Sequence, residues 1–332
     1  MEWVIVAKTY ASVYGDVMDG MTAILDSARA NGAFVLRSML APPWAMRIED
    51  DAPLTLLAPS RGDAWVVLDD RPPVRLQPGD VALVRGPDLR YTVADPPSTP
   101  PQVRIDPLQH PHPVGDEVMA MFGERSWGND AAGTTVLFSG TYQVRGELSD
   151  SLLRVLPPLA VVERCTATQH LMQMLEAEIE GTDPGQDTVL DRLLDLLLIA
   201  SLRTWFGRTE RAPGWFSAYG DPIVGAVLRL MHDDPAHSWT LAELARRSGT
   251  SRAALARRFT DLVGQPPMTY LTDWRLKLTA DLLRDGELTV GSIAARVGYS
   301  TPFALSAAFR RERGISPRDY RRRVLSSADA SS

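Results

Sequence analysis

Apolar positions change their spacing near residue 148. From residue 33 to about 145 they come in short runs cut by Pro, Gly and Asp; beyond it they recur every third or fourth position. Short broken runs predict strands, and a 3.6-residue period predicts helices. The predicted strands are Phe34–Arg37, Thr55–Leu57, Ala64–Leu68, Val81–Val84, Arg90–Val93, Val103–Ile105 and Thr134–Val144. The stretch PPVRLQPGDVALVRG (72–86) reads as strand, Pro-Gly-Asp turn, strand. So many short strands predict a barrel or sandwich. An amphipathic helix is predicted before them, from Asp16 to Asn31, ending at Gly32.

From Leu148 to Phe206 the spacing is helical throughout. Leu171, Met174, Leu175 and Ile179 mark one helix. Val189, Leu193, Leu196, Leu197, Ile199, Leu202 and Phe206 mark another that is apolar on more than one side. Such a helix is buried twice, against the barrel and either a second subunit or the rest of its own. Residues 207–221 (GRTERAPGWFSAYGD) carry a Pro-Gly pair and further glycine, and predict a hinge.

One pattern then occurs twice. TLAELARRSGTSRAALARRFTDLVGQPPMTYL runs from Thr240 to Leu271, and TVGSIAARVGYSTPFALSAAFRRERGISPRDYR from Thr289 to Arg321. Ala245 matches Ala294, Gly249 matches Gly298 and Ser251 matches Ser300. After a one-residue shift, Leu255 matches Leu305, Phe259 matches Phe309, Gly264 matches Gly314 and Tyr270 matches Tyr320. Helix, glycine turn and second helix form the unit that lays its second helix in a DNA major groove. Thr240 with Glu243 predicts a capping box; Ser251, and Ser300 or Thr301, predict the caps of the two second helices. Between the copies Leu271, Trp274, Leu278 and Leu282 predict a helix over Tyr270–Asp285, a rod of about 24 Å.

Three stretches carry a family resemblance: LAELARRSGTSRAALARRF, GQPPMTYLTDWRLKLTADLLRDG and IAARVGYSTPFALSAAFRRERGISPRDYRR. Over about a third of the chain they resemble the AraC/XylS family of transcription regulators. APPWAMRI (41–48), the turn Pro78-Gly79-Asp80, and SWGND (126–130) followed by TTVLFSGTYQV resemble the cupin-type N-terminal domain of one branch of that family. The resemblance implies an α+β protein: a cupin-like β-barrel over 1–147, a helical segment over 148–206 that often dimerises, the hinge at 207–221, an all-α tandem helix-turn-helix domain over 222–323, and a disordered tail over 324–332. It also implies double-stranded promoter DNA as partner, a homodimer, and a small-molecule effector.

Helical geometry turns Arg252, Ala253, Ala256 and Arg257 outward on the first recognition helix, with Ser251 at its cap and Arg258 at the flank. The resemblance makes Arg257 the base-reading arginine, suited to a two-bond contact with a guanine edge. It places Ala253 where relatives often carry a larger base-contacting side chain. In the second copy the equivalent of Arg257 is Ala307. Phe303 and Ser306 face the groove beside it, after the cap at Ser300 or Thr301, and Phe303 suits a thymine methyl. The first copy is therefore expected to specify and the second to position, with Arg310, Arg311, Arg313, Arg318 and Arg321 to Arg323 on phosphates.

Charge agrees with that division. The net of −6 hides 17 Lys and Arg against 12 Asp and Glu in residues 217–332, a net of +5; the remainder carries 18 against 29, a net of −11. Phosphate is attracted to one end of the chain only. The single cysteine, Cys165, excludes an intramolecular disulfide and suits a reducing interior; it reads as a small core residue. The N-terminus lacks the basic and long apolar stretches of a signal peptide, and no apolar run is long enough to span a membrane. These features point to the cytoplasm.

A metal-dependent cupin enzyme fused to a DNA-binding module is the alternative in a different class. Such barrels hold a metal through two or three His and a carboxylate. Residues 1–109 contain no histidine, and His110 and His112 sit in a proline-flanked HPHP predicted to be a surface loop. His170, His232 and His237 read as helix-surface or turn residues. No catalytic motif and no cofactor are predicted. An architectural DNA binder with little sequence preference is a further alternative, favoured by the poor second recognition helix. For an effector, Trp44, Trp65, Tyr91 and Trp127 are the candidate pocket walls, since large aromatics offer apolar faces with a polar handle.

Overall fold

A computed structural model describes residues 34–115, 119–142, 147, 153–208 and 214–329. The helix expected at 16–31 lies outside them. The described residues form two compact units, one of residues 34–115, 119–142 and 153–208, the other of residue 147 and residues 214–329.

The first unit is a two-sheet β structure. Its strands are β1 Phe34–Leu40, β2 Ala45–Ile48, β3 Leu54–Arg61, β4 Ala64–Leu68, β5 Val74–Leu76, β6 Val81–Arg85, β7 Tyr91–Ala94, β8 Val103–Ile105, β9 Pro111–Pro113, β10 Ala120–Gly123, β11 Ser126–Gly128, β12 Thr135–Tyr142 and β13 Leu159–Val162. One sheet has the order β10-β11-β1-β12-β3-β6-β13, the other β5-β4-β7-β2-β8-β9. The core lies between them and draws Leu57, Val84 and Leu137 from one sheet, Met46, Val66 and Val93 from the other.

Two expectations change here. Residues 159–162 fall where the spacing predicted helix, yet they pair antiparallel with β6. A four-residue apolar run fits either period, and the free edge of β6 decides it. The HPHP loop supplies β9, an edge strand beside β8, where prolines cost no ladder bond on the solvent side.

Two helices cover this unit: α1, Thr166–Glu180, and α2, Gln186–Arg208. Gly140 in β12 makes the close approach of α2 possible, because a Cβ there would lie 2.7 Å from the Leu194 side chain. The Tyr142 hydroxyl donates to the Leu194 carbonyl at 2.8 Å and fixes the same crossing. The doubly apolar pattern of α2 is mostly satisfied within this unit: Leu190, Leu193, Leu194, Leu197, Leu198, Leu202 and Phe206 are buried. Leu196 stays 49% exposed, and Val189 and Met174 are exposed too. Cys165 is not core; it is the half-buried N-cap of α1, its Sγ 3.4 Å from the Thr168 hydroxyl.

The second unit is helical: α3 Gly214–Ala218, α4 Val224–Asp233, α5 Leu241–Arg247, α6 Arg252–Val263, α7 Pro267–Arg284, α8 Val290–Arg296, α9 Pro302–Arg313 and α10 Pro317–Asp329. α3 occupies part of the predicted hinge, and α10 runs through residues predicted as tail from 324. The unit has two cores. Val227, Leu228, Leu244, Leu255, Phe259 and Leu271 form the first; Leu276, Leu283, Ile293, Leu305 and Phe309 form the second. Both draw on α7, whose 18 residues make a rod of about 27 Å shared by the two helix-turn-helix copies. No described helix is long and apolar enough to cross a membrane.

Candidate nucleic-acid interface and barrel cavity

Each recognition helix is started and stopped by its own residues. Ser251 Oγ accepts the Ala254 N–H at 3.2 Å to cap α6, and Thr301 Oγ1, not Ser300, accepts the Ala304 N–H at 3.1 Å to cap α9. Pro302 follows at the first position. Gly264 and Gly314 end the two helices in the left-handed conformation. At α5 the predicted capping box closes only halfway. Thr240 accepts the Glu243 N–H, but the Glu243 carboxylate turns to His237 at 3.1 Å and Arg247 at 3.3 Å.

The turns also set how the copies pack together. From α7, Arg275 donates to the carbonyls of Pro235 and His237, both at 2.8 Å, with Tyr299 of the second turn beside it. Gly298 sits against this contact at φ +80, where a Cβ would lie 2.6 Å from the Ala236 carbonyl oxygen. Its equivalent, Gly249, has φ +68 and open space. Gly249→Ala is expected to cost about 1–2 kcal/mol, the left-handed penalty alone. Gly298→Ala adds a backbone clash and should cost distinctly more in urea unfolding of the full chain. Equal losses would show that turn geometry, not packing between the copies, dominates.

His232 is a buried residue rather than a surface one. Its Nδ1 lies 2.5 Å from the Tyr219 hydroxyl, its Nε2 2.7 Å from the Tyr270 hydroxyl, and its ring lies against Trp274. Both ring nitrogens have hydroxyl partners, which makes burial tolerable.

On α6, Ser251, Arg252, Ala253 and Arg257 are exposed and Ala256 is half-buried. Arg258 is differently placed. Its Nε lies 3.0 Å and its Nη2 2.6 Å from Asp221 Oδ2. Asp221 also accepts the Ile223 and Val224 N–H groups at the start of α4. The Arg258 guanidinium, with these backbone donors, holds the Asp221 carboxyl down at about 2. Arg258 therefore ties α6 to the start of α4 while its side chain stays exposed. Its partner lies 37 residues away, which local spacing could not reveal.

On α9, Phe303 is 87% exposed, Ser306 half-buried, and Thr301, Arg310 and Arg311 exposed; Ser300 precedes them, also exposed. Of the expected phosphate arginines, two half-buried ones are engaged with groups distant in the sequence. Arg313 donates to the Glu147 carboxylate, at 2.9 Å through Nε, and Arg321 to the Leu288 carbonyl. Arg310, Arg311, Arg318, Arg322 and Arg323 remain exposed.

In the β unit a cavity of about 340 Å³ opens between the sheets. Tyr91 and Trp127 line it; Trp44 and Trp65 do not. Trp44 is fully buried elsewhere in the core, and Trp65, alternating with buried Val66 on β4, is half-buried. The Trp127 indole N–H donates to the Ser38 hydroxyl at 2.8 Å. Asp50, Thr55 and Gln109 also line the cavity and were not singled out in the sequence, where Asp50 sits unremarkably in the acidic run Glu49–Asp51. His112 Nε2 lies 2.7 Å from Asp106, whose carboxyl this contact holds down at about 2, and His110 lies 3.9 Å from the same group. Among the described residues, no three His, Cys, Asp or Glu side chains gather as a metal-binding group.

Residues 19–207 match the family described as Cupin, and residues 244–323 match a helix-turn-helix domain. A protein of Streptomyces antibioticus named as an AraC-like transcription regulator is 32% identical over 320 residues, covering 93% of this chain and all of its own. The HTH-type transcriptional regulator AlkR of Acinetobacter baylyi is 26% identical, over 92% of this chain and 99% of its own. Among solved structures, the DNA-binding domain of AdpA in complex with a target DNA is 30% identical, covers 32% of this chain and 96% of that one, and has a TM-score of 0.31. The chain belongs to the AraC-like transcription regulators, with a cupin domain followed by a helix-turn-helix DNA-binding domain.

Proposed function

We propose that this regulator is sequence-specific and ligand-responsive, reading bases through α6 and gripping the backbone through α9 and α10. The observation that carries the reading is the contrast between the two recognition helices. Arg257 is exposed and has no ion pair among the described residues, while the equivalent Ala307 has nothing to donate. Arg252, Ala253 and Ala256 complete the reading face, and Ser251, Ser300, Thr301, Phe303, Ser306, Arg310 and Arg311 complete the footprint. The barrel senses rather than catalyses: its cavity takes a small effector, and the bound state shifts the equilibrium between domain arrangements. The protein acts in the cytoplasm.

Binding of the full chain to labelled DNA, followed by fluorescence anisotropy across a salt series, tests the proposal. DNA from upstream of its own gene is expected to be preferred over scrambled DNA by about 10³ or more. Equal affinities that fall steeply with salt would mean that only phosphates are read, the architectural alternative.

The exposed apolar residues Met174 on α1 and Val189 and Leu196 on α2 support dimerisation through these helices. Leu196→Glu is expected to give a monomer by sedimentation that still unfolds in one cooperative transition, since the side chain is half exposed within its own subunit. A dimer that survives the change would place the interface elsewhere.

A further inference from the structure

The cavity between the sheets has a one-sided chemistry. Its walls are mainly apolar, including Leu36, Ile48, Leu57, Val93, Ile105 and Leu137. Among the described residues that line it there is no Lys, Arg or His, and one carboxyl, Asp50. Asp50 is only 5% exposed. Its Oδ2 accepts the Gln109 side-chain amide at 2.8 Å, and the Ala52 N–H donates to it as well. These are neutral donors. A buried carboxylate without a cation is costly, and burial is the main cause holding this carboxyl above its ordinary range.

Tyr91 adds a second unmet demand. The side chain is 2% exposed, lines the same cavity, and its hydroxyl has no hydrogen-bond partner of good geometry. Its polar surroundings are Asp50 and Thr55, and burial keeps the phenol protonated far above its usual value. Thr55 is the one side chain placed to hydrogen-bond this hydroxyl, and the contact is not well formed, so the hydroxyl keeps capacity for a polar group of a bound molecule.

The mouth is built to hold its shape. Gln109 has φ +63, a left-handed conformation rare outside glycine. Asp106 imposes it: its Oδ1 accepts the N–H groups of Leu108 and His110, both at 2.9 Å, and its Oδ2 meets His112. This is the work of the HPHP segment: it holds a turn that extends the Gln109 amide to Asp50. Met121 stands beside it, 61% exposed at the entrance.

We propose that this cavity binds a small apolar molecule bearing a protonated amine, with the ammonium between the Asp50 carboxylate and the Tyr91 hydroxyl. The assignment rests on the reading of the barrel as an effector site and names the class of effector. An ammonium supplies the missing counter-charge and donates to both oxygens, while the apolar body fills the walls. A carboxylate ligand would set a second anion beside Asp50 with no cation to offset it. A neutral hydrocarbon would give Asp50 no counter-charge and the Tyr91 hydroxyl no added partner.

Calorimetric titration of the full chain with two matched series tests this: tryptamine, tryptophol and indole-3-acetate, then octylamine, octanol and octanoate. At least one amine is expected to bind about ten- to a hundredfold tighter than its alcohol, with no binding by either carboxylate. Asp50→Asn should abolish the amine's advantage while leaving the melting temperature of the free chain no lower, because an amide still accepts from Gln109. An alcohol or carboxylate that binds as tightly as the amine, or an amine preference that survives Asp50→Asn, would overturn the class and leave the effector site standing. Absence of binding by every member of both series would contradict the class and the effector site together.

Discussion

Phe259→Ala is expected to cost about 3–5 kcal/mol, the usual loss for a fully buried phenylalanine. Phe259 is completely buried in the first core and meets the Tyr270 ring edge to face at 5.6 Å. Its repeat counterpart, Phe309, meets Tyr320 at 5.4 Å in the other core. Since the two cores share α7 and otherwise meet only where Gly298 and Arg275 pack against residues 235–237, the damage should stay largely in one copy. Hydrogen exchange of the variant checks this. Amides of α4 to α6 are expected to lose protection by about 10²–10³, while those of α8 and α9 keep most of theirs. Equal losses across both copies would show that α7 couples them into one cooperative unit.

Arg257→Ala is expected to weaken binding to the preferred DNA by about 1–3 kcal/mol and to relax the choice of base at one position. The guanidinium is exposed on the same helix as Arg258, but the two differ in what surrounds them. Arg258 is held by Asp221 at the foot of α4, whereas Arg257 has no such carboxylate. Loss at Arg257 is therefore expected to act on recognition, and loss at Arg258 to act also on the packing of α6. Anisotropy with the preferred site and its single-base variants separates these effects. If Arg257→Ala weakens every sequence equally, the side chain contacts a phosphate.

The parts of this fold that depend on nearest neighbours were legible in the sequence. Ser251, Thr240, Pro302 and the left-handed Gly249, Gly264 and Gly314 act within four residues of themselves, and their spacing locates the helices. Strands that pair by long-range contact were less legible. β13 fits either a helix or a strand until β6 is beside it. The cavity shows the same limit. Four aromatics looked alike as pocket walls, but alternation along β4 turns Val66, not Trp65, into the core, and Trp44 packs away from the opening. Asp50 and Gln109, 59 residues apart, gain their meaning only when the sheets close. The ion pairs of Arg258 with Asp221 and of Arg313 with Glu147 were not legible either, because nothing local predicts those partners.

In the proposed division of labour α6 selects and α9 anchors. Selection of bound sequences from a random DNA pool by the full chain, followed by sequencing, tests it most directly. The account predicts a motif with one sharply defined segment and, about one helical turn away, a second segment of weak or thymine-biased preference beside Phe303. Two equally defined segments would contradict it, as would a defined segment that persists unchanged in Arg257→Ala.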